Sequence, residues 1–373
     1  MDKKEIDLKY EGNKKIYYDL DKLKKLKEDI LEFLDGEDYM HTLDFAKSSM
    51  ESIEIKANNE IEGINDNLDI IDLVIENKSV SSITRRRIIN LYRAYQFILN
   101  NKNINEESLH ELFQILSKDL ITNEGMGEYY RTEGVFILRN SYDIYQNSGI
   151  PVLEIEEYMK NYFDYINSDN ENTLIDKFIK SQIIHFYLVY IHPYVDLNGR
   201  VSRTASMWYL LNNGAYPYVN FNRAISFNRK NYLVSIRNAS KTGNLTNFLE
   251  YILKYVLVEL EKDHVIQSIK ENTSTNLSKE DLLIIRYLIT MKEHMSIKDL
   301  ATIYNHYNDK LSPKVIYDEK IKPLLDKEIL EIFGKTSTFV KEDLPNYLIR
   351  INPNIFDFSD PKVKNLNLKR FIN

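Results

Sequence analysis

The chain has 373 residues, of which 28% are charged and 43% hydrophobic, with a formal net charge of −7 and no cysteine. This length accommodates two or three domains, each with its own core. The acidic balance argues against a dedicated nucleic-acid binder, although a basic patch on one domain remains compatible with it. The lack of cysteine excludes a disulfide and a thiolate metal site. The N-terminus has no apolar signal-peptide core, and no apolar segment has the length of a membrane span, so we expect a cytoplasmic protein without a membrane partner.

Helical spacing of apolar residues dominates the first two thirds of the chain. The spacing predicts amphipathic helices over residues 20–34, 85–100, 105–120 and 155–166, with Asn105 as an N-cap. A more uniformly apolar helix follows over residues 174–191, as expected at the centre of a helical bundle. The fold is therefore predicted to be mainly α.

One central segment reads as strands. The stretch "YRTEGVFILRNS" alternates around Val135 and Ile137, with Gly134 and Asn140 near its ends. This pattern predicts a short β-hairpin.

The C-terminal third begins after a polar boundary near residue 275, "KENTSTNLSKED". Beyond it the spacing predicts helices over 279–291, 296–306 and 312–326, followed by two strands around Gly334. Three helices and a hairpin are the order of a winged helix, a domain that often binds DNA. Residues 276–345 hold 11 Lys and Arg against 12 Asp and Glu. This balance disfavours nucleic acid as its ligand without excluding it, and favours a protein-contact or dimerisation module.

The densest group of reactive side chains lies in "IHPYVDLNGRVSR", residues 191–203. Pro193 ends the preceding helix at His192, and a loop follows before the next helix begins. The loop therefore delivers backbone amides to a helix N-terminus, which is a site for anions. Arg200 and Arg203 lie one turn apart and fit a polyphosphate better than a single carboxylate.

The remaining polar residues of this stretch have matching chemistry. Asp196 could hold Mg²⁺ against phosphates, and Asn198 could donate to a phosphate oxygen. Gly199 permits close approach of the backbone, and His192 could take a proton from an attacking hydroxyl. Each residue alone also has an ordinary structural interpretation, as a cap, a turn former or half of a surface ion pair. Their grouping within one short span favours a site.

This stretch resembles the Fic motif, His-Pro-Phe-x-Asp/Glu-Gly-Asn-Gly-Arg-x-x-Arg. It has Tyr194 in place of Phe and Leu197 in place of Gly, and matches at His192, Pro193, Asp196, Asn198, Gly199, Arg200 and Arg203. The segment "GEYYRTEGVFI" is similar to the family's flap, in which an arginine, here Arg131, precedes a short edge hairpin. His185 also stands where the family commonly has a histidine. The similarity spans roughly residues 85–260.

The resemblance implies a Fic core that moves AMP from ATP onto a hydroxyl of a target protein. It implies that His192 is the general base and that Asp196 binds Mg²⁺. The residues it assigns to the nucleotide are Leu197, Asn198, Gly199, Arg200, Arg203 and, on the adenine side, Tyr232. The flap residues Val135, Phe136 and Ile137 would pair with the target's backbone as an added strand. Gly199 stands where phosphate-transferring relatives have Lys, which favours transfer of AMP.

Upstream, "NNEIEG" at residues 58–63 resembles the inhibitory helix Ser/Thr-x-x-x-Glu-Gly/Asn of many Fic proteins, with Asn58 in place of Ser or Thr. The resemblance implies a salt bridge from Glu62 to Arg203, in the place of the γ-phosphate. The same six positions fit an ordinary helix end with Gly63 as its stop.

Leu197 bears on whether the site is active. If the loop requires a positive φ there, leucine costs about 1–2 kcal/mol and crowds the β-phosphate. Its N–H would still be available as a donor. Slow, altered and lost catalysis all stay open.

These patterns divide the chain into an N-terminal helical region with the inhibitory motif (1–84), a Fic core with a hairpin flap (85–262), a small α+β winged-helix-like domain (275–345) and a tail (346–373). We expect a protein adenylyltransferase restrained by Glu62, with ATP and Mg²⁺, whose acceptor is a target protein or the chain itself. A homodimer is left open. The alternatives are removal of AMP, transfer of another phosphate-linked group, and a catalytically weak regulator acting through the winged helix.

Overall fold

The computed structural model describes residues 2–355 except residues 13, 51, 65–70, 72–73, 76–81, 123, 141–142, 169–170, 274–275, 292–294, 308–310 and 334–344. The chain is mostly helical, as the apolar spacing predicts, and divides into two compact units, Met1–Leu257 and Val258–Asn373. Over the described residues, no helix combines the length and the apolar character needed to cross a membrane.

The first unit consists of helices with two small hairpins. Its strands are β1 (Lys3–Ile6), β2 (Ile16–Asp19), β3 (Val135–Asn140) and β4 (Asp143–Ser148). Its helices are α1 (Leu20–Leu34), α2 (Leu43–Ser49), α3 (Ser52–Ile61), α4 (Ile83–Asn100), α5 (Glu106–Ser117), α6 (Ile155–Asn167), α7 (Leu174–Ile191), α8 (Asn198–Asn212), α9 (Phe221–Phe227), α10 (Arg229–Thr242) and α11 (Thr246–Thr273), the last of which contains the border between the units.

Several of these helices begin where a capping residue satisfies a free backbone N–H. Asp19, Asn105 and Thr173 accept from the N–H groups at the starts of α1, α5 and α7. Asn105 also forms a capping box with Ser108, whose hydroxyl accepts from the Asn105 N–H. The predicted N-cap at Asn105 is confirmed.

Helices α7 and α8 form the centre of the first unit and pack against each other. From Phe178 to Leu188 every residue of α7 is buried, and α8 is buried over nearly its whole length. Because both helices are covered on all sides, the loop that joins them is fixed at both ends. This loop, residues 192–197, carries the motif.

The N-terminal hairpin was not predicted from the sequence. Strands β1 and β2 pair antiparallel, with Lys3 opposite Asp19 and Ile6 opposite Ile16. Tyr17 also exchanges backbone hydrogen bonds with the start of α11, through Gly243 and Leu245. Strands of four residues give too short an alternation to stand out in a charged sequence.

The predicted central hairpin exists but covers a longer segment. Strand β3 takes up half of the stretch 130–141, and its antiparallel partner β4 lies beyond it, with Val135 opposite Ser148. The register shifts next to Leu138 show an irregular pairing. Strand β4, "DIYQNS", is mostly polar, and its apolar residues do not alternate, so no strand pattern is recognisable there.

The second unit has helices α12 (Lys279–Met291), α13 (Ile297–Tyr307) and α14 (Pro313–Ile316), which continues through a π-helical segment, Tyr317–Ile321, into α15 (Lys322–Asp326). Strands β5 (Met295–Ser296), β6 (Leu330–Phe333) and β7 (Leu348–Ile351) form a sheet of order β5-β7-β6. The first predicted strand of the hairpin is confirmed as β6. The second predicted strand lies outside the described residues, and β6 pairs with β7, beyond the predicted domain end at residue 345.

Candidate active site

His192 lies directly after α7, where the helix stops. Its N–H still donates to the Leu188 carbonyl at 3.0 Å, but its backbone is left-handed, with φ 56° and ψ 59°. Pro193 disfavours helical geometry in the residue before it, so the helix ends here. A left-handed residue other than glycine is strained by about 1–2 kcal/mol, and its surroundings must maintain it.

The His192 imidazole has one nitrogen in use and one available. Nδ1 lies 3.3 Å from the Val189 carbonyl oxygen, which can only accept, so Nδ1 carries the proton and Nε2 the lone pair. Burial and the positive charge of Arg131 lower the pKa of His192 to about 4, although the Val189 carbonyl and Asp196 oppose them. The ring is therefore neutral at pH 7 and can accept a proton at Nε2.

The loop after His192 is closed by Asn198. Its side-chain oxygen accepts from the Tyr194 N–H at 3.0 Å, and its amide donates to the Tyr194 carbonyl at 2.8 Å. The Tyr194 ring stacks on Phe113 at 4.2 Å, and its hydroxyl donates to the Leu109 carbonyl at 3.4 Å. Tyrosine thus fits the place of the motif's phenylalanine. Asn198 is buried and shapes the loop, so a contact of its side chain with phosphate stays a prediction.

Leu197 has the positive φ that would strain a residue other than glycine. Its φ is 63° and its ψ is 9°, so a residue at this position is left-handed. The corresponding cost to leucine is about 1–2 kcal/mol. The expectation that its N–H is free differs from the structure, because this N–H donates to the Asp196 carboxylate at 2.6 Å. The Leu197 N–H and the carboxylate of Asp196, the candidate metal ligand, are therefore hydrogen-bonded to each other.

Arg203 and Glu62 are joined, as the inhibitory motif implies. The Arg203 guanidinium is buried and donates to a Glu62 carboxylate oxygen at 2.6 Å. Burial raises the pKa of Glu62, but the positive charges of Arg203, Arg200 and Arg229 outweigh it and hold this pKa below its ordinary value. Glu62 is therefore ionised at pH 7, and its negative charge lies against the second arginine of the motif.

Asn58 is a second partner of Arg203 from the same helix. Its side-chain oxygen accepts from Arg203 at 2.9 Å, and its amide donates to the Tyr95 hydroxyl at 3.2 Å. Asn58 is fully buried. The residue that replaces the motif's Ser or Thr thus helps to hold the arginine. Sequence reasoning identified the position but not this contact.

Arg200 has an unused donor, and so does Arg203 at its own Nε, among the residues that the structure describes. Arg200 is buried, and its Nε forms no hydrogen bond to the residues that the structure describes. Burial lowers the pKa of Arg200, and so do the charges of Arg203 and Arg87, while Glu62 opposes them. Two adjacent buried guanidinium groups require anionic compensation. Glu62 supplies part of it, and phosphate oxygens have the right chemistry to supply more.

Gly199 provides the space in which this ion pair lies. A Cβ at this position would lie 2.9 Å from a Glu62 carboxylate oxygen and 3.1 Å from an Arg203 nitrogen. Both approaches are too close, so a side chain would displace Glu62, Arg203 or both. Glycine is therefore required here by the close approach of this ion pair, whereas close approach to a phosphate stays a prediction.

The end of α3 satisfies both interpretations of "NNEIEG". Gly63 has φ 80°, its N–H donates to Glu60, and the Ile64 N–H donates to Asn59, which is a Schellman motif. The helix thus ends by ordinary means and still presents Glu62 to Arg203. Arg229, at the start of α10, donates to the Ile61 carbonyl and adds positive charge beside Glu62. Sequence reasoning missed Arg229, because its contact joins residues far apart in the chain.

Tyr232 lies in the core of the first unit, and its predicted contact with adenine stays a prediction. It is 3% exposed, its hydroxyl lies 3.0 Å from Nε2 of His185, and its ring lies near His185 and Phe248. Burial lowers the pKa of Arg203, but the charge of Glu62, with a smaller contribution from Tyr232, outweighs it and holds this pKa above its ordinary value. In this conformation Tyr232 supports Arg203 from within the core and has little surface for a base.

The flap hairpin is a two-stranded sheet within the described chain, so one edge of β3 stays unpaired there. An unpaired edge can accept another strand, as predicted for Val135, Phe136 and Ile137. Only Val135 has a described side chain, and it is partly exposed. The pairing with a target stays a prediction.

Asp196 could contribute to a magnesium site, but not as part of a protein cage. It is exposed, and the described residues contain no group of three or more acidic, histidine or cysteine side chains that could hold a metal. Mg²⁺ in nucleotide sites is commonly held by one or two carboxylates together with phosphates and water. A single carboxylate beside an anion site therefore fits Mg²⁺ that arrives with a nucleotide.

Comparison with known proteins agrees with this geometry. A model of the Fic/DOC family matches residues 103–210. Protein adenylyltransferase fic-1 of Caenorhabditis elegans is 26% identical over 127 residues, which are 34% of this chain and 23% of that protein.

One solved structure supports the same fold, and a second is similar at a lower TM-score. A Fic family protein from Desulfovibrio desulfuricans G20 has a TM-score of 0.51 and 18% identity, covering 90% of this chain and 95% of that one. A segment of Fic-1 from C. elegans has a TM-score of 0.47 and 20% identity, covering 67% and 72%. The matched segment 103–210 holds the flap, the His192 loop and both arginines, and the chain therefore contains a Fic/DOC domain.

Proposed function

We propose that this protein is an adenylyltransferase that moves AMP from ATP to a hydroxyl of a protein target and is restrained by Glu62. One observation carries the proposal: a neutral base lies at one end of the 192–197 loop, and an anion site lies at the other end. His192 has Nε2 free to accept a proton. Arg200 and Arg203 lie buried in the first turns of α8, where the helix N-terminus also attracts anions.

The proposed reaction begins at His192. Its Nε2 takes the proton of the target's hydroxyl while the hydroxyl oxygen forms a bond to the α-phosphorus of ATP. The bond between that phosphorus and the oxygen bridging to the β-phosphate breaks, and pyrophosphate leaves with the electron pair. The imidazolium then loses its proton to the solvent, which restores the base. A general base of this kind contributes about 10²–10⁴-fold to a rate.

The arginines and the loop hold the nucleotide in this proposal. Arg203 binds the γ-phosphate and Arg200 the neighbouring phosphates, because guanidinium groups match phosphate oxygens in shape and charge. Asp196 would hold Mg²⁺, which neutralises phosphate charge when bound. For the carboxylate to do so, Asp196 releases the Leu197 N–H, which can then donate to a phosphate.

Glu62 restrains the reaction by occupying Arg203. A carboxylate 2.6 Å from the guanidinium takes the place proposed for the γ-phosphate. ATP can then bind only in a less favourable position or after Glu62 has moved. The proposal thus includes a resting state of low activity.

The second unit has the element order and the sheet order expected of a winged helix, helix followed by strand and two further helices, then two strands. We propose that it contacts protein, the target or a second copy of the chain. Its balance of charges supports this choice over DNA, which requires an excess of positive charge.

The test of the main proposal is the fate of two labels. The Glu62→Gly protein is incubated with Mg²⁺ and ATP labelled either at the α- or at the γ-phosphate, with and without a cell lysate. We expect protein-bound label from the α-phosphate alone. Label from the γ-phosphate would assign the protein to phosphate transfer, and no label from either would favour the regulator without catalysis.

A further inference from the structure

We propose that Arg131 and Gly149 are positioning residues for His192 and tie the orientation of its imidazole to both ends of the β3–β4 hairpin. The inference rests on the proposed function, because its kinetic test measures AMP transfer.

Arg131 joins three backbone segments with one buried side chain. It is 2% exposed, and its guanidinium donates to the carbonyls of His192 at 2.7 Å, Glu133 at 2.9 Å and Ile150 at 2.6 Å. Glu133 precedes β3 and Ile150 follows β4, so these bonds fasten both ends of the hairpin to the residue that carries the base. The Arg131 N–H also donates to the Pro193 carbonyl at 2.8 Å.

Gly149 brings the chain after β4 directly against His192. Its φ is 82°, and a Cβ there would lie 2.5 Å from the Cβ of His192 and 2.6 Å from the Ile191 carbonyl oxygen. The next residue, Ile150, donates its N–H to the same Ile191 carbonyl at 3.3 Å. Only glycine both adopts this backbone and leaves room for His192.

These contacts explain how His192 stays left-handed. Arg131 holds the carbonyl of His192 by a hydrogen bond, and the backbone at Gly149 keeps the Cβ of His192 from moving towards the hairpin. The direction of the Cα–Cβ bond then sets where the imidazole lies, including the contact of Nδ1 with Val189. Because guanidinium bonds to three carbonyls fix Arg131 in the core, it acts through His192 and not on the nucleotide. The positive charge of Arg131 also helps to lower the pKa of His192.

The coupling gives the flap a second role. Where a target strand pairs with β3, a displacement of the hairpin ends reaches His192 through Arg131 and Gly149. The orientation of the base thus depends on the state of the flap. Misplacement of a reacting group by about 1 Å can cost about 10²-fold in rate, so small displacements matter.

The test uses two variants in the Glu62→Gly protein, each with a matched control. Gly149→Ala places a methyl group against His192, and its control is Gly214→Ala, where φ is 66° and a Cβ meets no atom within 4 Å. Arg131→Lys keeps the charge but cannot reach three carbonyls, and its control is Arg86→Lys, whose guanidinium binds the single carbonyl of Asp119. The measurements are kcat for AMP transfer, the Kd of a non-hydrolysable ATP analogue, and the nitrogen chemical shifts of the His192 imidazole by NMR.

We expect Gly149→Ala to lower kcat by about tenfold or more and Arg131→Lys by about fivefold, with the Kd within about twofold of the parent. In both variants the imidazole shifts should move, and in both controls kcat and the shifts should stay close to the parent's. Imidazole shifts that stay unchanged in both variants would overturn the proposal, and so would equal losses in variants and controls. If Gly149→Ala does not fold, as circular dichroism would show, Arg131→Lys decides alone. If the Glu62→Gly parent transfers no AMP, the proposed function fails, and the imidazole shifts still decide the positioning.

Discussion

The loop between α7 and α8 has a left-handed residue at each end, and the two are held in different ways. His192 is fixed by residues distant in sequence, the Arg131 guanidinium and the backbone of Gly149. Leu197 is held by its immediate neighbour, since its N–H donates to the Asp196 carboxylate. The His192 end of the loop, the base end, therefore depends on tertiary packing. The Leu197 end, the phosphate end, depends on a local hydrogen bond that a ligand of Asp196 can replace.

We expect the largest effect from removing the base at the His192 end of the loop. In the Glu62→Gly protein, His192→Ala should reduce AMP transfer by about 10²–10⁴-fold, because the proposed general base is removed. The initial rate of α-label incorporation measures this, and binding of the ATP analogue serves as the control. A loss of nucleotide binding as large as the loss of rate would assign His192 to the phosphate end instead.

The second effect concerns the ion pair at the phosphate end. Glu62→Gly should raise self-labelling by about 5–150-fold, the range of a coupling of about 1–3 kcal/mol, because Arg203 becomes free for the γ-phosphate. The matched control is Glu60→Gln, a neighbour in the same helix segment whose carboxylate pairs with Lys56. Equal labelling in the wild-type and Glu62→Gly proteins would reduce "NNEIEG" to an ordinary helix end.

The third effect is the pH dependence of the rate, which tests whether the pKa of His192 is lowered. Because burial and Arg131 lower the pKa of His192 to about 4, the imidazole stays neutral down to about pH 5. The rate at low ATP, measured with the Glu62→Gly protein, should change less than about twofold between pH 7.5 and pH 5.5 from this group. An imidazole with an ordinary pKa near 6.5 would lose about tenfold by pH 5.5. A loss of that size would mean that the native environment does not lower the pKa of His192.

The smallest effect tests whether Leu197 slows the site. Leu197→Gly removes the strain of the left-handed backbone and opens space beside the phosphates, so we expect a several-fold faster transfer in the Glu62→Gly protein. Stability should change by less than about 1 kcal/mol, because glycine's greater unfolded-state entropy offsets the relieved strain.

The control for this last change is Asp119→Gly, an exposed position with φ 57° away from the loop. It should show a similar small change in the denaturation midpoint and an unchanged rate. If Leu197→Gly transfers AMP no faster than its parent while binding nucleotide normally, leucine is compatible with full activity.

Much of the helical fold could be predicted because it depends on local patterns. The end of α7 follows from Pro193, and the start of α5 follows from the cap at Asn105. The short strands were harder, since β1 and β2 have four residues each and β4 is polar. The partner of β6 could not be identified because strand pairing joins segments that are distant in the chain.

By itself the sequence determined which chemical groups this protein has and where its central loop begins and ends. Pro193 fixes the end of one helix, and the order of His192, Asp196, Arg200 and Arg203 supplies a base, a carboxylate and two cations within one loop and its following helix. These are local properties, because backbone sterics and helical periodicity act over a few residues.

Only the tertiary structure decided which atoms these groups meet. It joins Arg203 to Glu62 and Asn58, places Tyr232 near Arg203 and sets Gly149 against His192. Such contacts depend on how helices pack, and a close-packed interior translates small differences of shape into which side chains touch. The spacing of the motif gives no sign of the contacts that hold the base, because Arg131 and Gly149 lie outside it in the chain, at the two ends of the β3–β4 hairpin.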